Sequence, residues 1–228
     1  MFRPKSYLNL NESEHQGLFS DGRYVWDALK RLPDYFHRWK DFDNRATLKG
    51  ESYIEENVDI GEGTIVEHGA VILGPVVIGK NCLIRSGAYI RDHSVVGNDC
   101  IIGKSVELKY AILFNGCQVP HFNYVGDSIL GHKVHLGAGV KISNYKLMPS
   151  TIKIDCEGER IDTGLLKFGA VLADHSEIGC NTVLNPGSLI GRRSVVYPNI
   201  FWRGVLDQDQ IVKNHSEITI TARRKDKV

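Results

Sequence analysis

Three cations stand at places where a chain of short strands has no packing use for them. Arg85 follows Ile84, Arg91 follows Ile90 and Lys109 follows Leu108. Arg91 and Lys109 are eighteen residues apart. A planar guanidinium beside a point-charge ammonium can clamp a phosphate. The competing account is an exposed pair splayed into water. Ten residues beyond Lys109 begins Val119-Pro120-His121-Phe122-Asn123-Tyr124-Val125-Gly126-Asp127, with His121 twelve residues on. An imidazole titrates near neutrality, so His121 can serve as a general base; a lone histidine is more often structural. Further on, Gly137-Ala138-Gly139 offers backbone N–H groups with little side-chain cover. Such groups can hold a developing oxyanion, or they can simply turn a corner.

These residues sit on a lattice of period six. Ile60, Val66, Ile72, Ile78, Ile84, Ile90, Val96, Ile102, Leu108 and Phe114 are evenly spaced and apolar. Four places after each comes a second series, from Thr64 through Cys82 and Cys100 to Gln118, nearly all small or β-branched. Gly61, Gly79, Gly97 and Gly103 follow the aliphatic directly. The lattice slips near residue 119 and resumes at Leu130, and again at Leu172. A period of six fits neither a helix nor a plain strand. It fits short strands joined by corners that use Gly or Asn at positive φ. Three faces then make a triangular coil of eighteen residues, and coils stack about 4.8 Å apart. The spacing predicts a mainly β, single-stranded parallel β-helix over residues 53–204. Arg91 and Lys109 would stack on one corner of it. Residues 1–52 read as a cap of short helices on the open first coil, with Val25, Ala28, Leu29 and Leu32 at helical spacing. An inserted loop at about 145–167 breaks the repeat and is either a solvent loop or an arm to a neighbouring subunit. Residues 205–228 read as a tail with a short strand, Ile218-Thr219-Ile220, and a basic end.

Composition narrows the function classes. The 228 residues carry 28 Lys and Arg against 27 Asp and Glu, a net charge of +1. Such a chain has no global field to draw it onto nucleic acid or a membrane surface. No apolar run approaches the length of a membrane helix, and residues 1–11 lack a signal-peptide core. The five cysteines form no CxxC pair. That predicts a cytoplasmic protein without a disulfide framework.

From Arg85 to Lys146 the sequence resembles the acetyltransferase half of bifunctional glucosamine-1-phosphate N-acetyltransferase/N-acetylglucosamine-1-phosphate uridylyltransferase, and the hexapeptide-repeat tails of sugar-1-phosphate nucleotidylyltransferase-like proteins. The segment Pro120 to Ser128, followed by Leu136-Gly137-Ala138-Gly139, carries the resemblance. It implies a left-handed β-helix working as a homotrimer, with acetyl-CoA as co-substrate, a small sugar phosphate as acceptor and no tightly bound metal. Carried over by motif, His121 matches the catalytic base. Arg91, Lys109 and, after the longer loop, Lys167 match sugar-phosphate ligands, and Tyr124 a sugar contact. Ala138, Asn144 and Tyr145 match acetyl-CoA and active-site groups. Cys180 and Pro198 fall where coenzyme contacts lie. His135 stands where the family has an asparagine that positions the amino sugar. That departure bears on the choice of acceptor, and a position near His121 would couple the two imidazoles. The nucleotidylyltransferase half is expected to be absent, since fifty residues cannot hold it.

The expected activity is therefore N-acetylation of an amino-sugar phosphate. The alternatives are a non-catalytic oligomerisation or sugar-nucleotide binding module, and a zinc enzyme of the γ-carbonic-anhydrase type using His121, His132 and His135. His15, His37, His68, His93, His175 and His215 read as surface or corner residues. Cys82 and Cys100 read as packed and inert, and Cys117 as structural.

Overall fold

The computed structural model describes residues 2–40 and 42–214. Three parallel sheets of nine, eight and eight strands form the sides of a triangular prism. Face I runs from Thr47–Lys49 to Ile211–Val212, face II from Tyr53–Ile54 to Phe201–Trp202, and face III from Val58–Ile60 to Val205–Leu206. Successive strands in the chain visit faces I, II and III in turn, and each pairs in parallel with the strand one coil away. This is the parallel β-helix that the hexads predict. Its strands extend from Thr47 to Val212, beyond the expected 53–204 at both ends, because the terminal coils keep the inward aliphatics after losing the glycines. The expected strand at Ile218–Ile220 and His215 lie outside the described residues. Among those residues no helix is long and apolar enough to cross a membrane.

The interior is a column of stacked aliphatics and small residues. Ile60, Val66, Ile72, Ile78, Ile84, Ile90, Val96, Ile102 and Leu108 all point inward. The next inward residue is Leu113, not Phe114. The coil loses one residue at the corner from face II to face III, and loses another one coil later, between Val125 and Leu130. Ala111 and Cys117 consequently fill the small inward places expected for Ile112 and Gln118. The slip thus begins earlier than residue 119. Corner geometry explains it. On six-residue sides the third residue after the aliphatic is left-handed, as at Asn81, Asp99, Asn181 and Asn199; on the shortened sides it is the second, Tyr110 and Asp127. Short polar side chains tolerate that region best. The glycines directly after the aliphatics have a different cause, since none of the four is at positive φ. A Cβ on Gly79 would lie 2.7 Å from the backbone of the next coil, and one on Gly103 only 1.5 Å from the Pro120 carbonyl. They permit stacking and do not turn the corner.

Face III carries apolar residues on its outer side too. Val77, Val95, Ile112, Ile129, Val171 and Leu189 stack in register across six coils. The N-terminal segment lies over this row. With its short helices, Pro4–Tyr7, Asp27–Lys30 and Leu32–Arg38, and the turns between them, it buries Leu8, Leu18, Phe19, Trp26, Leu29 and Leu32 there. Each fully buried side chain of this kind stabilises by about 1.5–3 kcal/mol. Phe114 packs edge-on against Phe19 at 5.5 Å. Asp174 accepts from the Asn9 N–H at 2.6 Å, and Arg192 donates to the Tyr7 carbonyl at 3.0 Å. The segment is therefore a side cover along one face, not a cap on the first coil. The apolar outer row demanded it, since a single-sided amphipathic strand would have left that row wet.

The insertion is not a plain solvent loop. Lys153–Cys156 and Glu159–Asp162 pair as an antiparallel hairpin. Ile152 and Ile154 are buried in the same cluster as the N-terminal segment. Leu147 and Met148, which precede the hairpin, are almost wholly exposed, at 103% and 84%.

Candidate active site

Two corners of the prism collect the candidate residues, one on each side of face II. Along the corner from face I to face II, hydrogen bonds form a ladder. The carbonyl of Lys104 accepts from Phe122 N–H (2.9 Å), that of His121 from Gly139 (3.0 Å), that of Ala138 from Asn181 (2.9 Å) and that of Cys180 from Asn199 (2.9 Å). His121, Ala138, Cys180 and Pro198 thus occupy the same place on four successive coils. Lys104 pairs with His121 across the preceding rung. The His121 side chain is exposed. Its backbone is held by its own N–H to Asn123 Oδ1 at 3.0 Å, and Asn123 is anchored to the Gly137 carbonyl at 2.7 Å. The Ala138 N–H donates to no protein acceptor among the described residues.

The corner from face II to face III holds Arg91, Lys109, Asn144, Tyr145 and Lys167. Arg91 and Lys109 lie one coil apart, as their spacing predicts, but neither is a bare cation. Arg91 Nη1 donates to Glu107 Oε1 at 2.9 Å, and this hydrogen bond first, with the carboxylate's charge, raises the guanidinium's pKa. Lys109 Nζ is 3.3 Å from Asp127 Oδ2, which also accepts from Asn144 Nδ2. Tyr145 forms an antiparallel bridge with Lys167 across the base of the insertion, and both side chains are exposed. Face II between the two corners presents Tyr89, Glu107, Tyr124 and Lys141 in register on its outer side. Burial, followed by the charges of Glu107 and Asp127, pushes the Tyr124 hydroxyl's pKa up. Gly126 is five residues on from His121, so the corners stand no more than ~18 Å apart along the chain.

Glu107 and Asp127 were not among the residues singled out by sequence. Glu107 stands two places before Lys109 on an outward strand position. Asp127 lies eighteen residues after Lys109, inside the segment that carries the family resemblance. Both signals were present. Their meaning depends on the shortened corner, which moves Asp127 one place round from the position Lys109 holds.

His135 lies elsewhere. It points outward on face I, between Gln118 and Glu177. His121 is three residues further along the strand that pairs with it, a displacement of ~10 Å. The expected coupling of the two imidazoles within one chain is not supported by this placement. His132 is half-buried at a third corner, 3.4 Å from Glu12 and against the His175 ring at 5.3 Å. The three imidazoles of the zinc alternative therefore face three directions. Among the described residues no group of His, Cys, Asp and Glu has a metal-binding arrangement. His15 is buried and not a surface residue; its Nδ1 meets the Tyr35 hydroxyl at 2.6 Å. Cys82, Cys100 and Cys117 stack in the interior, where the hydrogen bond to Cys100 and burial raise the Cys82 thiol's pKa.

A coil of hexapeptide faces with this corner chemistry defines the class, a parallel β-helix of the hexapeptide type. Residues 72–159 match the family model described as the GMPPB C-terminal domain. The chain is 35% identical over 191 residues to a bifunctional sugar-1-phosphate nucleotidylyltransferase/acetyltransferase of Sulfurisphaera tokodaii, an alignment that covers 81% of this chain and 46% of the relative. It is 36% identical over 221 residues to the bifunctional protein GlmU of Methanococcus maripaludis strain C7, with 94% and 52% covered. Among solved structures, a UDP-N-acetylglucosamine acyltransferase from Arabidopsis is similar over 75% of this chain and 68% of that one, at 12% identity and a TM-score of 0.48. Over these alignments the chain is similar to the hexapeptide-repeat domains of sugar-1-phosphate nucleotidylyltransferase/acetyltransferase proteins. It spans about half the length of the curated relatives it matches.

Proposed function

We propose that this chain is an N-acetyltransferase that moves acetyl from acetyl-CoA to the amine of an amino-sugar phosphate. One observation carries the reading: an exposed imidazole and an unpaired backbone N–H on one corner of face II, with cations and an amide on the other. His121 takes the proton as the amine attacks the thioester carbonyl. The Ala138 N–H holds the oxygen on which charge develops. Coenzyme A leaves as the thiol, and its length is accommodated along the column of Cys180 and Pro198. Tyr124, Lys109, Arg91 and Lys167 hold the sugar phosphate. Charge balance constrains that last role. With Glu107 and Asp127 in place, Arg91 and Lys109 add no net charge, so a phosphate must share them with the carboxylates or displace one.

We assign the working form to a homotrimer with its sites in the clefts between prisms, in line with the class, and a cytoplasmic setting in line with five unpaired cysteines. The test is thiol release from acetyl-CoA with glucosamine-1-phosphate and related amino-sugar phosphates. Turnover that needs both substrates supports the reading. A protein that neither releases thiol nor gives heat with acetyl-CoA in calorimetry is a non-catalytic module, the alternative that the pre-paired cations favour.

A further inference from the structure

Asp127 is the most constrained ionisable group near the site. Its φ is +46°, and its backbone is tied on both sides: its N–H donates to the Lys109 carbonyl at 2.9 Å, and its carbonyl accepts from Gly169 at 2.8 Å. Its side chain is only 8% exposed. One carboxylate oxygen accepts from two groups at once, Lys109 Nζ at 3.3 Å and Asn144 Nδ2. A carboxylate can only accept, so the amide edge that meets it must be the NH₂. The orientation of Asn144 is thereby fixed by chemistry, where an isolated amide would be free to turn over. The Tyr124 hydroxyl interacts with the same side chain, and the other edge of the amide, Oδ1, accepts no hydrogen bond among the described residues. Gly126 makes room for this arrangement. A Cβ there would lie 2.7 Å from both Asn144 Nδ2 and the Tyr124 hydroxyl.

We propose that Asp127 is a positioning residue that sets the polarity of the site. It turns Asn144 so that a hydrogen-bond acceptor faces the acceptor sugar, and it holds Lys109 in one place beside it. The ligand group this selects is a donor, the amine or a hydroxyl of the sugar, next to an anionic group within reach of Lys109. The kinetic consequence rests on the acetyltransferase reading; the geometric one does not.

The experiment is Asp127→Asn, nearly isosteric and able to donate as well as accept. Facing an amide, Asn144 is free to reverse. The expected result is at least a tenfold loss in kcat/KM for the amino-sugar phosphate, with KM for acetyl-CoA unchanged. In a double-mutant cycle, Asp127→Asn should cost clearly less in the Asn144→Ala background than in the wild type, because the part of its effect that acts through Asn144 is already gone and only its hold on Lys109 remains. Additive losses, or equal losses for both substrates, overturn the proposal in favour of a merely structural corner. Side-chain amide resonances of Asn144 in a ¹⁵N-labelled sample judge the geometry without any activity. They should shift in Asp127→Asn, and unchanged resonances reject the proposal even if the enzyme turns over. If the wild type acetylates nothing while those resonances shift, the parent reading fails and the positioning role stands. Should Asp127→Asn not fold, Asp127→Ser takes its place in the same cycle.

Discussion

A side chain on an outer corner of a solenoid can be removed without disturbing the aliphatic column inside. His121 has that freedom, because its strand is anchored by Val119 within and by Asn123 beside it. His121→Ala is therefore expected to keep its melting temperature and lose about 10²–10⁴ in kcat, the usual worth of a general base. Full turnover in the variant would remove the imidazole from the mechanism, and a failure to fold would make it a structural residue. The cations differ, because each has a carboxylate to lose. Arg91→Ala and Lys109→Ala leave Glu107 and Asp127 facing an incoming phosphate. Both should raise KM for phosphorylated acceptors well above the effect on the unphosphorylated sugar, and leave KM for acetyl-CoA unchanged. Equal losses for the two acceptors would show that neither cation meets phosphate. Repeat arithmetic placed Arg91 and Lys109 on one corner, since an eighteen-residue coil needs only counting. It could not show their partners. Whether Asp127 reaches Lys109 depends on two missing residues and a left-handed corner, and the spacing alone does not reveal which side is shortened.

The elements were legible in proportion to how strictly the coil enforces a period. Inward positions from Ile60 to Leu108 follow the sequence lattice, because one wrong residue there would block the stack. The N-terminal segment was misplaced, since local helical spacing says that an apolar stripe exists and not what it covers. The answer lay in the other partner, the outer row of Val77, Val95, Ile112, Ile129, Val171 and Leu189, which the hexad count passes over. His15 makes this docking measurable. It is 6% exposed beneath the segment's own aromatics, and burial lowers its pKa to about 4. The unfolded chain has a value near 6.5. Between those two values the unfolded state binds a proton that the folded state refuses. Stability from this group is thus intact above pH 6.5 and falls as the pH drops toward 4, by up to about 3 kcal/mol at 1.36 kcal/mol per unit. Urea melts of the wild type and His15→Gln across that range should diverge by this amount, the variant being flatter. Parallel curves would mean that the imidazole is not held neutral.

At the scale of the molecule, covering one face decides what the other two are for. Face III is closed by the chain's own N-terminal segment, so any association of prisms must use faces I and II. Their outer sides are graded along the axis. The first coils present Ile65, Leu83 and Ile101 on face I, and Val71 and Tyr89 on face II; the last present Val195 and Ile211, and Val183 and Phe201. Between them the register turns polar, with Gln118, His135 and Glu177 on one face and Glu107, Tyr124 and Lys141 on the other. Apolar contacts at both ends would clamp neighbouring prisms and leave a wet cleft at the level of His121. In the proposed trimer, Leu83→Asp sets three buried charges against apolar partners, while within one chain its carboxylate only faces water. The variant should keep a wild-type circular dichroism spectrum, sediment as a monomer of about 25.5 kDa, and lose acetyl transfer with the assembly. A control at the same level of the covered face, Val95→Asp, should fail to fold, because a buried charge there has no partner. If Leu83→Asp still sediments with the wild type, Leu83 does not lie in an interface.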